Sequence, residues 1–253
     1  MYLFQYHELI KNLVISDLKV KYASSMLGFA WSLLNPLAMM AILYFVFSNV
    51  FRSSEEYFVL YILIGILWWR FFSLGTGSAL RAIVGKPSLV TKVYIPRETL
   101  TLSAVISCLI SSLLEFVVLL PMLFLIGPGI QATILLFPVI LFLGFLVIYA
   151  ISLFLSSLYV YFRDLNQVWE VVLQLGFFAC PIAYSASVIP AAYLPYYMLN
   201  PVTVLMGMFR DIFLKGLVPP TADFLLVAAF ALALLASGMF TFSRLSRRFA
   251  EEV

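Results

Sequence analysis

Few side chains in this sequence have both the type and the spacing that chemistry needs. A loop that cradles phosphates needs glycines followed by Lys and a Ser or Thr hydroxyl. The nearest approach is Gly85-Lys86-Pro87-Ser88, with Leu80 in place of the first glycine and Pro87 in place of the hydroxyl. Any nucleotide hydrolysis must therefore come from another polypeptide. The single histidine, His7, has no second His or Cys near it, whereas a zinc or iron site needs several such ligands. No metal or cofactor is expected, and a membrane-embedded transferase would lack its cluster of His, Asp or Glu. Cys108 and Cys180 both sit in apolar runs, where a thiol behaves as a small hydrophobe.

Two ionisable groups stand out inside apolar runs, Arg70 and Glu115. A charge at mid-bilayer is costly and usually marks either a structural pair or an ion pathway. Counting ~1.5 Å per residue from opposite faces of a core about 30 Å thick places the two about 14 Å apart in depth. A direct ion pair is therefore not expected. Arg70 should snorkel to the inner surface, and Glu115 should be protonated within the bundle or hydrogen-bonded across a subunit interface.

The elements that must hold these groups follow from composition. Apolar residues make up 64% of the 253 and charged residues 11%, against about 45–50% and about 25% in soluble domains, and mean hydropathy is +1.08. A chain apolar nearly throughout folds as one transmembrane domain. Runs of spanning length occur at approximately 29–51, 57–80, 100–126, 133–160, 167–184 and 222–243, which predicts six transmembrane helices. The runs are continuous, unlike the alternating segments of a barrel, so the class is all-α integral membrane. The first strongly apolar run follows a polar stretch and not a short basic leader, so the first span is expected to act as its own insertion signal. With the N-terminus inside, eleven of the fifteen Lys and Arg residues face the cytoplasm, against Arg52, Arg210 and Lys215 outside. This bias predicts that both termini are cytoplasmic and accounts for the net charge of +3 without a nucleic-acid partner.

Three segments are unlike simple connections. Residues 4–24 read as an amphipathic helix lying flat on the inner leaflet, with Tyr6, Leu9, Ile10, Leu13 and Val14 on one face. Asp17 falls on that apolar face and so calls for a basic partner on another segment, unless the pattern simply frays there. Residues 81–98 form the most basic internal loop, punctuated by Pro87 and Pro96; it is either a docking element or a plain consequence of the positive-inside bias. Residues 185–221 carry Ile189-Pro190, Asn200-Pro201 and Pro219-Pro220 among tyrosines. Two short re-entrant helices over 186–214, turning near Asn200-Pro201, would satisfy such a backbone where protein buries it. Trp31, Trp68 and Trp69 fall where interfacial belts are expected. Because aromatic faces also stack on sugar rings, Trp31, Tyr159, Phe177, Phe178 and Tyr184 are candidates to line a glycan path, with belt or packing as the competing role.

Specific strings add to this reading. Asp17-Leu18-Lys19-Val20-Lys21-Tyr22, then Ser25, Leu27-Gly28, Trp31 and Leu34-Asn35-Pro36, resembles the N-terminal signature of ABC-2 type permeases that export cell-surface polysaccharides of the O-antigen and teichoic-acid group. Three further blocks agree in order: Val93-Tyr94-Ile95-Pro96-Arg97-Glu98, Phe162-Arg163-Asp164-Leu165, and Pro181-Ile182-Ala183-Tyr184 with Leu199-Asn200-Pro201 and Phe209-Arg210 beyond. Cys180, where a small residue such as Ser is expected, and Lys21, where Arg is common, are small departures.

The resemblance implies a homodimer in the cytoplasmic membrane, with two copies of a separate ABC ATPase subunit driving a lipid-linked glycan between the permeases. It maps ATPase contacts onto 4–24 and 86–98, with Asp17, Lys19, Lys21, Lys92, Arg97 and Glu98 as candidate coupling residues. The outer gate maps onto 186–214, with Pro190, Asn200, Pro201 and Arg210. The competing assignment is an ABC-2 permease for a drug or small lipophile. An ion-coupled secondary transporter would need more buried charge and usually internal repeats.

Overall fold

The computed structural model describes residues 5–23, 28–50, 56–185, 189–190 and 192–252. The expected limits at 4, 24 and 51, the positions Ser25, Leu27 and Arg52, and residues 186–188 and 191 of the outer segment lie outside the described residues. Every regular element among the described residues is helical. The chain runs through α1 (His7–Ala23), α2 (Gly28–Val50), α3 (Phe58–Leu80), the short α4 (Pro87–Lys92), α5 (Glu98–Val117) and α6 (Leu119–Ile126). It continues through α7 (Phe137–Tyr161), α8 (Leu165–Ala179), α9 (Leu194–Tyr197), α10 (Pro201–Arg210), α11 (Thr221–Leu245) and α12 (Phe249–Glu252).

Five stretches are long and apolar enough to cross a bilayer: Ala30–Ser48, Phe58–Leu80, Glu98–Ile126, Ala132–Tyr161 and Thr221–Glu252. The third is interrupted between α5 and α6, because Pro121 offers no N–H to the carbonyl of Val117. The span expected at 167–184 becomes the 15-residue α8, about 22 Å long and short of a ~30 Å core. It stops where Pro181 drives Cys180 into extended backbone, φ −90° and ψ 148°.

The core is built on α3. Leu60, Ile62, Leu63, Ile64, Leu67, Trp68 and Phe71 are all essentially inaccessible, the signature of a helix apolar all round and buried by its neighbours. α5 and α7 flank it, and α11 packs along α7. Buried serines of α5 are satisfied locally. Ser107 and Ser111 of α5 donate to carbonyls four residues back, at 2.9 and 3.0 Å, which removes the penalty of a bare hydroxyl in a dry interior. Small residues there also let helices approach closely, and Thr101 meets Ser156 of α7 at 3.1 Å.

The belt role expected of Trp68 and Trp69 is overturned. Both sit mid-way along α3 and are buried. The Trp68 indole donates to the Val202 carbonyl at 3.0 Å and fills a slot left by Gly144 of α7, where a Cβ would lie 2.6 Å from the ring. Trp69 packs against Phe72 and Phe177.

Candidate functional site

The basic side chains gather at one end of the bundle, where α1, α4 and the C-terminal segment meet. Lys86, just before α4, grips the Asp17 carboxylate of α1 through both oxygens, at 2.8 and 3.0 Å. The misplaced-looking Asp17 thus has a basic partner on another segment, and α1 is tied to the 86–98 loop. The apolar side of α1 packs on α5, with Val14 buried, while Lys19 and Lys21 are exposed. Lys92 is exposed, and Glu98 opens α5, where a carboxylate complements the helix N-terminus. Arg97 does not project freely: it donates to the Ser246 carbonyl and lies 5.9 Å from the Phe249 ring. Tyr161 and Arg163 make similar bonds to the carbonyls of Leu245 and Glu252, at 2.8 and 3.1 Å.

The loop and the C-terminal segment enclose a groove of about 630 Å³ between residues 90–98 and 246–250. Tyr94 stands at its edge fully exposed, beside the half-exposed Val93. Tyr94 was not among the candidate coupling residues, although an aromatic between two prolines in a basic loop was the available signal.

Half-way along the bundle, Arg70 and Glu115 form a two-pronged ion pair, Nε to Oε2 at 3.0 Å and Nη2 to Oε1 at 3.1 Å. Arg70 also donates to Asn35 Oδ1 of α2 at 3.0 Å. The expectation that the two lie apart, with Arg70 snorkelling, is therefore wrong. The register shows why. Cys108 contacts the Leu74 carbonyl and the Ser78 hydroxyl, both at 3.5 Å, so it sits level with that turn of α3. Glu115 then rises about 10 Å above this level and Arg70 about 9 Å. α5 begins about 15 Å below it, whereas α3 ends only about 6 Å below. Counting each helix from its own end, as if both ends lay level with a face of the core, misplaced one by the overhang.

At the far end, α10 opens at Asn200-Pro201. Asn200 caps it, its side-chain oxygen accepting from the Val202 N–H at 3.0 Å, and Pro201 occupies the first turn, where its missing N–H is harmless. Among the described residues of the arm before it, a single helical turn forms, α9. Pro190 is exposed. Arg210, counted from sequence as an external charge, is buried: its guanidinium lies 3.4 Å from the Tyr61 ring centroid and donates to the carbonyls of Tyr61 and Ile182 at 3.2 and 3.0 Å. Gly65 makes room for it, since a Cβ there would meet the guanidinium at 2.9 Å. Tyr184 and Tyr197 share a 2.6 Å hydrogen bond, and burial pushes both phenols up, so both remain protonated at neutral pH.

The candidate path residues divide. Phe177 and Phe178 line a groove of about 360 Å³ with Met39 and Trp69, and Trp31 lines an adjoining one that shares Met39. Tyr159 stands apart near the basic end of α7, with Arg163 5.6 Å over its ring. Tyr184 lies in the irregular backbone after α8.

Residues 8–214 match the family of ABC-2 type transporters. The chain is 32% identical to the O-antigen export system permease protein RfbA of Myxococcus xanthus, over 99% of its own length and 97% of that protein. It is 29% identical to a protein of the same name from Klebsiella pneumoniae, over 99% and 95%.

Proposed function

Given that the chain belongs to the ABC-2 type transporter family, and is thus a multi-pass membrane transporter subunit and not itself an enzyme, we propose that it is the permease of an ATP-driven exporter of a lipid-linked, O-antigen-type polysaccharide. It acts as a homodimer in the cytoplasmic membrane, with both termini inside and two copies of a separate ATPase subunit bound at the basic end. The observation that carries this reading is the basic-end groove: a cleft of about 630 Å³, braced by Arg97 against the C-terminal segment, with Tyr94 presented to a partner. Aromatic anchors beside charged rims are the usual hot spots of protein interfaces. Force from the ATPase would enter through Tyr94 and Lys92 and pass along α5 from Glu98, while the Asp17–Lys86 pair carries it to α1. At the far end the segment around α9 and α10 would act as the outer gate, with Pro190 and Asn200 at its surface and Pro201 and Arg210 as its anchor. Teichoic acid remains a cargo of the same chemical class; a small lipophile is not favoured, because the similar proteins are named for O-antigen export.

The test is to tag the chain in its own host, solubilise it gently and identify what stays bound. A roughly equimolar protein bearing a phosphate-binding loop, together with a lipid-linked glycan, is the expected result. A chain that purifies alone and moves solute in vesicles without ATP would overturn the reading.

A further inference from the structure

A second cavity at the basic end, of about 420 Å³, lies between α1, α3 and α5; Asp17, Lys21 and Lys86, already named in the coupling of α1, form part of its lining, but the roles above give it no ligand. Its mouth is cationic: Lys21, Arg81 and Lys86 line it with one carboxylate, Asp17. Since Asp17 is taken by Lys86, the excess charge resides on Lys21 and Arg81. Arg81 gives one N–H to the neutral Asn166 at 3.0 Å and keeps its charge and other donors. Lys21 lies 5.3 Å from the Tyr22 ring, with no carboxylate within ion-pair distance among the described residues.

Further in, the wall changes character. Leu74, Ser78, Ser107, Cys108 and Ser111 line it, and the serines of α5 spend their protons on their own helix: Ser107 and Ser111 donate to carbonyls four residues back. Along α5 the lining extends from Ala104 to Ser111, about 10 Å of helix. The cavity is thus graded from two uncompensated cations at the mouth to an uncharged and mainly apolar interior.

We infer that this cavity binds a phosphate-bearing amphiphile, and specifically the headgroup and first methylenes of an anionic membrane phospholipid. The shared chemistry of phosphate recognition would also suit a free phosphate ion. The small ion, however, leaves the apolar interior unfilled, whereas a lipid satisfies both zones, and basic residues at a bilayer surface attract anionic lipid in any case. The bound lipid bridges α1 to the α3–α5 pair. The inference needs only that the chain sits in a bilayer and does not depend on what the chain exports.

The experiment is native mass spectrometry of the purified full chain in micelles, titrated with phosphatidylglycerol or phosphatidylcholine, with inorganic phosphate as competitor. Phosphatidylglycerol should be retained about tenfold more tightly than phosphatidylcholine, with phosphate failing to displace it. Lys21→Gln with Arg81→Gln should abolish the preference, while Lys11→Gln with Lys19→Gln, on the exposed face of α1, should preserve it. Equal retention of the two lipids by the unaltered protein overturns the inference without any variant. So does displacement by phosphate, which would identify a small-anion site, and so does an equal loss in the α1 control pair, which would reduce the effect to diffuse surface charge.

Discussion

Replacing Glu115 by Gln should destabilise the bundle as much as removing the whole ion pair. The carboxylate is 2% exposed and the Arg70 side chain 21%, so neither is well screened by water. Glu115→Gln keeps the shape but leaves the guanidinium facing an amide, with Asn35 as its remaining polar contact. Breaking one side of a buried pair typically costs about 3–5 kcal/mol; the lower end, about 3 kcal/mol, suits a cation that retains Asn35. Arg70→Met should lose a similar amount, because it strands the carboxylate. The double variant removes both charges and should lose about 3 kcal/mol, no more than either single change, which gives a coupling of about 3 kcal/mol. The assay is a double-mutant cycle of unfolding free energies for the purified protein in micelles. Losses that add to within about 0.5 kcal/mol would show that the two side chains do not act as a pair, and the register argument for α3 and α5 would fall with them.

Gly144→Ala places a methyl 2.6 Å from the Trp68 ring and should lower stability by about 1–3 kcal/mol through overpacking, read as a drop in the thermal midpoint in micelles. Arg210→Lys should behave almost as badly as Arg210→Met, because an ammonium cannot lie flat on the Tyr61 ring while serving both carbonyls, as the planar guanidinium does through Nη2; equal stability of Arg210→Lys and the unaltered protein would contradict this. Asp17→Lys should impair export while changing stability by no more than about 1 kcal/mol, since the pair is roughly a quarter exposed, and adding Lys86→Asp should restore export. Tyr94→Ala should leave folding intact and weaken capture of the ATPase subunit in a pull-down; undiminished capture would remove Tyr94 from the interface.

Much of this was legible in the sequence because hydropathy and charge act residue by residue. The all-α class, the apolar side of α1 and the turn at Asn200-Pro201 need only composition, periodicity and the backbone limits of proline. Hydropathy also read a span into 167–184, because apolar content continues past the point where Pro181 ends α8. What the sequence withheld was relative height. Arg70 and Glu115 meet because α5 overhangs α3 at the basic end, and no count along either helix contains that offset. Arg210 lies at the end opposite the basic one, as its place in the outer segment implies, but its seat over Tyr61 comes from the chain folding back and is in no local count. Trp68 and Trp69 looked like interface anchors because Trp is common there, yet their position mid-way along α3 decides for packing.

The bundle divides mechanically along the lines its polar groups draw. α3 is buried over 78% of its span, whereas α2 is buried over 11% and α11 over 17%. Few buried apolar contacts mean low local resistance to displacement, so rearrangement is easiest at the periphery. α2 nevertheless is not loose everywhere: Asn35 is fastened to Arg70 at mid-height, and Pro36 beside it removes a helical hydrogen bond. A helix pinned at one level and weakened next to the pin can swing about that level while α3, α5 and α7 stay fixed. The grooves holding Trp31, Phe177 and Phe178 lie along α2. On the proposed function, in which these grooves border the glycan path, their width would follow the element least held by packing within the chain.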